Sequence, residues 1–200
     1  TGGIGVCHVY VDEYADIDMA ISIVNNAKVN RPSVCNAMDT LLINKKIYQE
    51  LLPKIANVLF ESGVEIRCDE RAFNILKGHN SNLVVKANED DWGMEFLSLI
   101  ASVKIVDSIQ DALKHIEEFG SGHTEAIITN NSYSSDKFLN EVDASAVMVN
   151  ASTRFNDGGQ FGLGAEVAIS TNKIHARGPM GLRELTSYKW IVIGDGQIRA

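Results

Sequence analysis

The chain has 200 residues and a formal net charge of −8, enough for one ordinary domain, or a domain plus an extension, with a real hydrophobic core. Its acid excess and the lack of any basic stripe argue against a nucleic-acid binder, whose affinity rests on Lys and Arg facing phosphates. No segment approaches the roughly twenty consecutive apolar residues of a membrane-spanning helix.

The opening residues, TGGIG, carry neither an initiator Met nor a signal-peptide pattern and read as a cut inside a longer protein. Val6–Val11 alternates and is rich in β-branched residues, the pattern of a strand. After Asp16, Ile17, Ala20, Ile21 and Val24 recur at helical spacing. A short apolar strand is expected over Thr40–Asn44, then a helix over 46–63 with Pro53 near its start and Gly63 as its stop. Strands follow at Val64–Cys68 and Leu99–Val106, then a helix that Ser108 could cap and Gly120 could end. Glu125–Thr129, a helix over Ser134–Glu141 and Ser145–Asn150 repeat the alternation. Strands alternating with helices of this length predict an α/β domain with a largely parallel sheet flanked by helices. Beyond it, 150–170 is Gly-rich and without helical period, as functional loops often are. The end, 186–199, alternates like a strand with a turn at Gly194–Gly196. An exposed terminal strand can pair with another sheet edge, so a homo-oligomer contact is expected there.

Three cysteines without a CxxC pair point to a reduced, cytoplasmic chain instead of a disulfide framework. Cys7 shares a strand face with Val9 and Val11, and Cys68 with Val64 and Ile66. Packing explains both positions, and buried structural thiols are inert. Cys35, in NRPSVCNA, lies in neither an apolar alternation nor an amphipathic stripe. Pro32 biases Arg31 away from helix, and Ser33 can cap a new short turn. Cys35 would then fall in a first helical turn, where free N–H groups stabilise a thiolate and bind an oxyanion, with Arg31 adding positive charge. The same position also suits a small residue filling a gap at a helix start. Cys35 is thus a candidate nucleophile, with packing as the competing reading.

Other motifs carry less. GGQFGLGAE leads into the strand-like EVAIS instead of opening a helix, so Gly158, Gly159, Gly162 and Gly164 read as permissive loop residues and not as a phosphate loop. The five histidines lack metal-ligand spacing, and no metal site is expected. Capping or loop packing suffices for His115 and His123, and HARGP could bind an anion or make a salt bridge.

Taken together, CHVYVDEYADIDMA, RPSVCNAMDTLLI, VDSIQDALKHIEEFGSGHTEAI, NASTRFNDGGQFGLGAE and STNKIHARGPMGL resemble the gamma-glutamyl phosphate reductases, or glutamate-5-semialdehyde dehydrogenases, of the aldehyde dehydrogenase superfamily. Phe119 departs from the family pattern, which has His or Tyr before the Gly-Ser pair. The resemblance implies an aldehyde-dehydrogenase-type catalytic domain over 1–186, a terminal oligomerisation strand over 187–200, and an N-terminal cofactor domain missing from this chain. It also implies the family's reaction, the NADPH-dependent reduction of L-glutamyl 5-phosphate to L-glutamate 5-semialdehyde and phosphate in proline biosynthesis. The cysteine of PSVCNA, here Cys35, is the family's nucleophile, whose thiolate attacks the acyl phosphate to give a thioacyl enzyme. Glu95, in WGMEFLSLI, matches the superfamily glutamate that touches the nicotinamide ribose. The STRFNDGGQF loop matches the region that anchors the substrate's carboxylate and amine. There Arg154 is the implied carboxylate ligand, with Ser152 and Thr153 beside it and Asn150 shaping the loop. NADPH would be held mainly by the missing domain, and the isolated chain is expected to show no turnover. Two other readings compete: a non-catalytic module using this fold for oligomerisation or regulation, and a cysteine hydrolase. The hydrolase needs a base within hydrogen-bond reach of Cys35.

Overall fold

Seven strands form one sheet in the computed structural model, which describes residues 3–79 and 82–200. Thr1 and Gly2 of the TGGIG start lie outside the described residues. The strands are β1 Cys7–Val11, β2 Thr40–Asn44, β3 Glu65–Cys68, β4 Val84–Lys86, β5 Ile100–Val106, β6 Thr124–Ile128 and β7 Ala146–Val149. They pair in the order β4-β3-β5-β2-β1-β6-β7. Every pairing is parallel, so each connection must return over a face of the sheet. The central strands β1, β2 and β6 are buried at every position, as strands covered on both faces are. Helices α1 Ile17–Val29, α2 Tyr48–Glu61 and α3 Glu70–Leu76 pack on the face carrying Val9, Val11, Leu41 and Ile43. Helices α4 Ile109–Phe119 and α5 Ser132–Glu141 pack on the opposite face, with Tyr10 and Leu42. The strand period of two sorts these side chains. The parallel α/β fold expected from the alternation is the one observed.

Local signals set the boundaries. The Asp16 carboxylate accepts from Met19 N at 2.8 Å, Ser108 Oγ from Asp111 N at 3.3 Å, and Asn131 Oδ1 from Ser134 N at 3.0 Å. Each such cap is worth about 1 kcal/mol. Pro53 sits at the sixth position of α2, further in than expected. Helix α3 and strand β4 are additions to the expected set. Asp69 caps α3 by accepting from Ala72 N at 2.7 Å, and β4 is three residues long.

After β7 the chain forms a short 3-10 turn at Thr153–Phe155, a glycine loop, and a separate antiparallel ribbon of β8 Ala168–Ser170 with β9 Gly178–Met180. Residues 187–200 make no hydrogen-bonded strand within the chain and expose Trp190, Ile191, Val192, Ile193 and Ile198. The alternating pattern there finds no partner edge among the described residues. Among the described residues no helix is long and apolar enough to cross a membrane.

Candidate active site

The turn that bears Cys35 is shaped by Pro32. It disfavours helix at Arg31, and α1 ends at Val29 with Asn30 N still donating to Asn26 O. The chain then doubles back. Met38 N donates to Ala27 O at 2.9 Å, and Asp39 N donates to Cys7 O at 2.9 Å. No helical turn fits in this short return, so 32–37 is a series of turns and Ser33 caps no helix. The helix N-terminus expected around Cys35 is therefore absent. Arg31 is exposed, and the cation that acts on the thiol is Arg154.

Cys35 is half-buried, whereas Cys7 and Cys68 are buried. The Cys7 thiol donates to the Cys35 carbonyl at 3.1 Å. A Cβ on Gly5 would stand 2.4 Å from that same carbonyl oxygen, so only glycine admits the turn this close to β1. Burial raises the Cys35 thiol pKa, and the Glu166 and Glu95 carboxylates raise it further; the backbone N–H of Cys35 and the Arg154 guanidinium oppose them. The free site thus favours the protonated thiol, the reverse of the thiolate expected from a helix N-terminus. Burial, with the neighbouring Asp69 charge, pushes Cys68 up to about 12, and Cys7 is raised still more firmly by burial and Glu125. Of the three, Cys35 is the accessible thiol.

Segment 150–156 runs from one end of β7 back to the other and splits the expected substrate residues. Asn150, with φ +55°, sits where β7 ends. Its amide accepts from Thr129 N and donates to Thr129 O, both at 2.9 Å, so it clamps the turn from the end opposite Cys35. Ser152 is buried and accepts from Arg154 N at 3.3 Å, and Thr153 is fully buried. Both support the turn from behind. Arg154 is half-buried; its guanidinium donates to Asn36 Oδ1 and, at 3.3 Å, to Asn30 Oδ1. It faces a pocket of about 220 Å³ shared with Asn26, Asn30, Phe155, Asp157 and Gln160. The structure thus brings Arg154 and Glu95 each within electrostatic reach of Cys35 and leaves Asn150 apart.

Residue-level reading of the sequence missed several contributors. Asn36 is one, donating from Nδ2 to Asn156 O at 3.0 Å while its Oδ1 accepts from Arg154. It ties the Cys35 turn to the Arg154 segment. Glu166 is another: the glycine loop folds so that Gly158 N donates to Glu166 Oε2 at 2.7 Å, and that carboxylate acts on Cys35. Gly162 and Gly164 have φ near +75° and +81°, the left-handed backbone that explains glycines in this loop. Arg177 of HARGP makes a salt bridge to Asp143 at 2.8 Å. Among the described residues no histidine ring hydrogen-bonds the Cys35 sulfur, and no three His, Cys, Asp or Glu are grouped to hold a metal ion.

Apart from Asn150, the groups around Cys35 gather at the amino ends of the strands. Cys7 begins β1 and Thr124 begins β6, and Asn156 Nδ2 donates to Thr124 Oγ1 at 2.8 Å. Glu95 and Phe96 precede β5. The neighbourhood straddles the point where the strand order reverses, between β1 and β6.

No family model matches the chain. It is 62% identical over 198 residues to the gamma-glutamyl phosphate reductase of Dehalococcoides mccartyi and 57% identical over 202 residues to that of Roseiflexus castenholzii. These alignments take in 99% and 100% of the chain but 47% and 48% of the relatives. The chain therefore spans about half the length of the curated relatives it matches. The crystal structure of gamma-glutamyl phosphate reductase from Thermotoga maritima superposes with a TM-score of 0.90 at 49% identity, over 99% of this chain and 47% of that one. An acetylating aldehyde dehydrogenase from Geobacillus thermoglucosidasius shares the fold, with a TM-score of 0.71 at 18% identity. From end to end the chain is similar to gamma-glutamyl phosphate reductases, as its motifs imply, and its fold is of the aldehyde-dehydrogenase type.

Proposed function

We propose that the chain is the thiol-bearing portion, 1–186 with the extension 187–200, of a gamma-glutamyl phosphate reductase that acts in the cytoplasm on a small acyl phosphate. The observation that carries this reading is the half-buried Cys35 set beside Arg154 and Glu95, in a chain that matches these reductases along its whole length. The reaction is reduction of L-glutamyl 5-phosphate to L-glutamate 5-semialdehyde with release of phosphate.

Arg154 binds the substrate's carboxylate, because its guanidinium already lines the pocket and can exchange an asparagine acceptor for a charged one. Ser152 and Thr153 stiffen the turn beneath it, and Asn150 fixes where that turn begins. Cys35 gives up its proton to solvent and attacks the acyl carbon; the C–O bond to phosphate breaks, phosphate leaves with the bonding pair, and a thioester forms on the sulfur. Phosphate needs no protonated amine or activated water to leave, which agrees with the lack of a histidine bonded to Cys35. The half-buried setting limits the access of water to the thioester. A nicotinamide cofactor, NADPH in this reading, would supply the hydride to the thioester carbon; the C–S bond would then break, releasing the aldehyde and returning Cys35 to its thiol. Glu95 fits a contact with the cofactor's ribose hydroxyls, being half-buried and close enough to act on the thiol. The glycine loop opens no helix and does not fit a dinucleotide-phosphate cradle. That surface belongs to the part of the relatives beyond this chain. The exposed apolar segment 187–200 suits pairing with a second copy.

In the full-length reductase carrying this sequence, Cys35→Ala is expected to abolish NADPH-dependent reduction of glutamyl phosphate. Normal turnover by that variant would refute the mechanism. The 200-residue chain alone is expected to bind NADPH weakly and to turn nothing over. Measurable reduction by it would remove the case for a cofactor surface elsewhere.

A further inference from the structure

Four residues beyond Cys35, Asp39 is buried and joined to three separate segments. Its Oδ1 accepts from Phe96 N at 3.0 Å and its Oδ2 from Cys7 N at 3.4 Å. Its own N–H donates to Cys7 O at 2.9 Å, and its carbonyl accepts from Ser102 N at 2.8 Å. One side chain thus links the Cys35 turn, β1 and the stretch that carries Glu95. Lys28, in the last turn of α1, is fully buried with Nζ 3.8 Å from Asp39 Oδ1 and no hydrogen bond of its own. A buried ammonium without a hydrogen bond is unfavourable unless its charge is used. Here it faces the carboxylate and stands 6.0 Å from the centre of the Phe96 ring, whose other cationic neighbour is the Arg67 guanidinium at 5.1 Å.

The segment so held is strained. Leu97, next to Phe96, has φ +51°, a conformation that branched residues seldom adopt and that surrounding contacts must impose. Phe96 is gripped through its backbone N–H and by cations near its ring, while the adjacent Glu95 is left half-buried on the Cys35 side.

We propose that Asp39, with Lys28 as its buried counter-charge, is a positioning residue that latches the Glu95–Leu97 segment onto the Cys35 turn. The latch takes its purpose from the reading of Cys35 as nucleophile and Glu95 as cofactor contact. It sets the separation between the thiol that carries the acyl group and the carboxylate that orients the hydride donor.

The test is the pH dependence of Cys35 alkylation by iodoacetamide in the full chain, followed by mass spectrometry, which needs neither substrate nor cofactor. The charges that move this thiol most are Glu166, Glu95 and Arg154, and neither Asp39 nor Lys28 is among them. Glu95→Gln shifts the alkylation midpoint to lower pH. Asp39→Asn is expected to shift it in the same direction by a comparable amount, because the released segment carries Glu95 away. The Asp39→Asn/Glu95→Gln double variant should move it no further than Glu95→Gln alone. An Asp39→Asn midpoint at the wild-type position overturns the latch, and so does a Glu95→Gln midpoint that fails to move. Should Asp39→Asn not fold, Lys28→Met/Asp39→Asn removes both buried charges at similar volume and gives the same comparison. In the full-length reductase these Asp39 variants are also expected to raise the cofactor KM about tenfold, with kcat less affected. Alkylation shifts without that rise leave the latch standing and refute the cofactor role of Glu95.

Discussion

The two edges of the parallel sheet are built from similar polar residues and end in opposite states. At the carboxyl edge, Asn44 Nδ2 donates to the Tyr10 hydroxyl at 3.1 Å, and that hydroxyl donates to Asp12 Oδ1 at 3.0 Å. Thr129 Oγ1 donates to Asp12 Oδ2 at 2.8 Å, and Asn150 clamps Thr129 from both sides. Every one of these buried polar atoms has a partner. At the amino edge, Lys28 Nζ, Thr40 Oγ1, His123 Nε2, Thr153 Oγ1 and Asn156 Oδ1 make no hydrogen bond among the described residues. Closed networks stabilise, while open ones keep bonding capacity and strain where chemistry needs them. Open parallel sheets commonly receive ligands at their carboxyl ends, near the reversal of strand order. Here the candidate site also lies at the reversal between β1 and β6, but at the other end.

If that division holds, damage to the two edges separates cleanly. Cys35→Ala in the full-length reductase should lower kcat by on the order of 10³-fold or more. In the chain, its unfolding free energy from urea titration should stay within about 0.5 kcal/mol of wild type. Asp12→Ala reverses the pattern. Loss of the carboxylate leaves the Tyr10 and Thr129 hydroxyls buried without their acceptor, a cost of about 2–4 kcal/mol in urea unfolding. Its rate of Cys35 alkylation, measured where the chain is folded, should match wild type. A large change in thiol reactivity from Asp12→Ala would show the edges to be coupled.

Gly5→Ala tests whether the amino edge is merely permissive. A methyl there overlaps the Cys35 carbonyl and must displace the turn. Overpacking of this kind costs about 1–3 kcal/mol. The same displacement should alter the alkylation rate of Cys35, so one substitution is expected to affect stability and reactivity together. Unchanged alkylation would mean that the turn does not depend on its contact with Gly5.

How much of this was legible in the sequence follows from range. Ser108 and Gly120 bracket α4 through contacts a few residues apart, and such signals survive without a structure. Helix α3 carries the same kind of signal in Asp69, but its seven residues present only Ala72 and Leu76 fully to the core, too short a period to stand out. Cys35 was conspicuous by contrast with Cys7 and Cys68, whose strand faces explained them. Its surroundings were not legible, because Gly5, Glu95, Arg154 and Glu166 arrive from remote segments that only the sheet order brings together. The supposed helix start failed for a related reason. Pro32 does end the helical path, but the bonds that pull the chain back to Ala27 and Cys7 are tertiary. Lys28 looks like any last-turn lysine until its burial beside Asp39 is seen.

The smallest expected effect is a difference in acid sensitivity, and it tests the amino edge itself, because the buried histidines and the buried Asp39 act in opposite senses. Burial holds His123 down to about 4 and His115 to about 2, the latter aided by His8 and Lys104. A depressed histidine pKa means that the unfolded chain binds protons first, so stability falls as pH drops below about 6.5. Asp39 works the other way. Burial raises it from 3.8 to about 6 against the pull of Lys28 and the Phe96 and Cys7 N–H groups. Its contribution is fully present below the unfolded value and is lost as pH rises through about 6, so it grows on acidification from about pH 7 to about pH 5. The wild-type chain should therefore lose stability over that interval less steeply than Lys28→Met/Asp39→Asn, by about 1 kcal/mol in urea unfolding. Equal slopes would mean that Asp39 titrates as an ordinary surface acid and that the amino edge is less buried than its geometry indicates. A shallower wild-type slope that persists in both Cys35→Ala and Asp12→Ala would trace the difference to the buried Lys28–Asp39 pair.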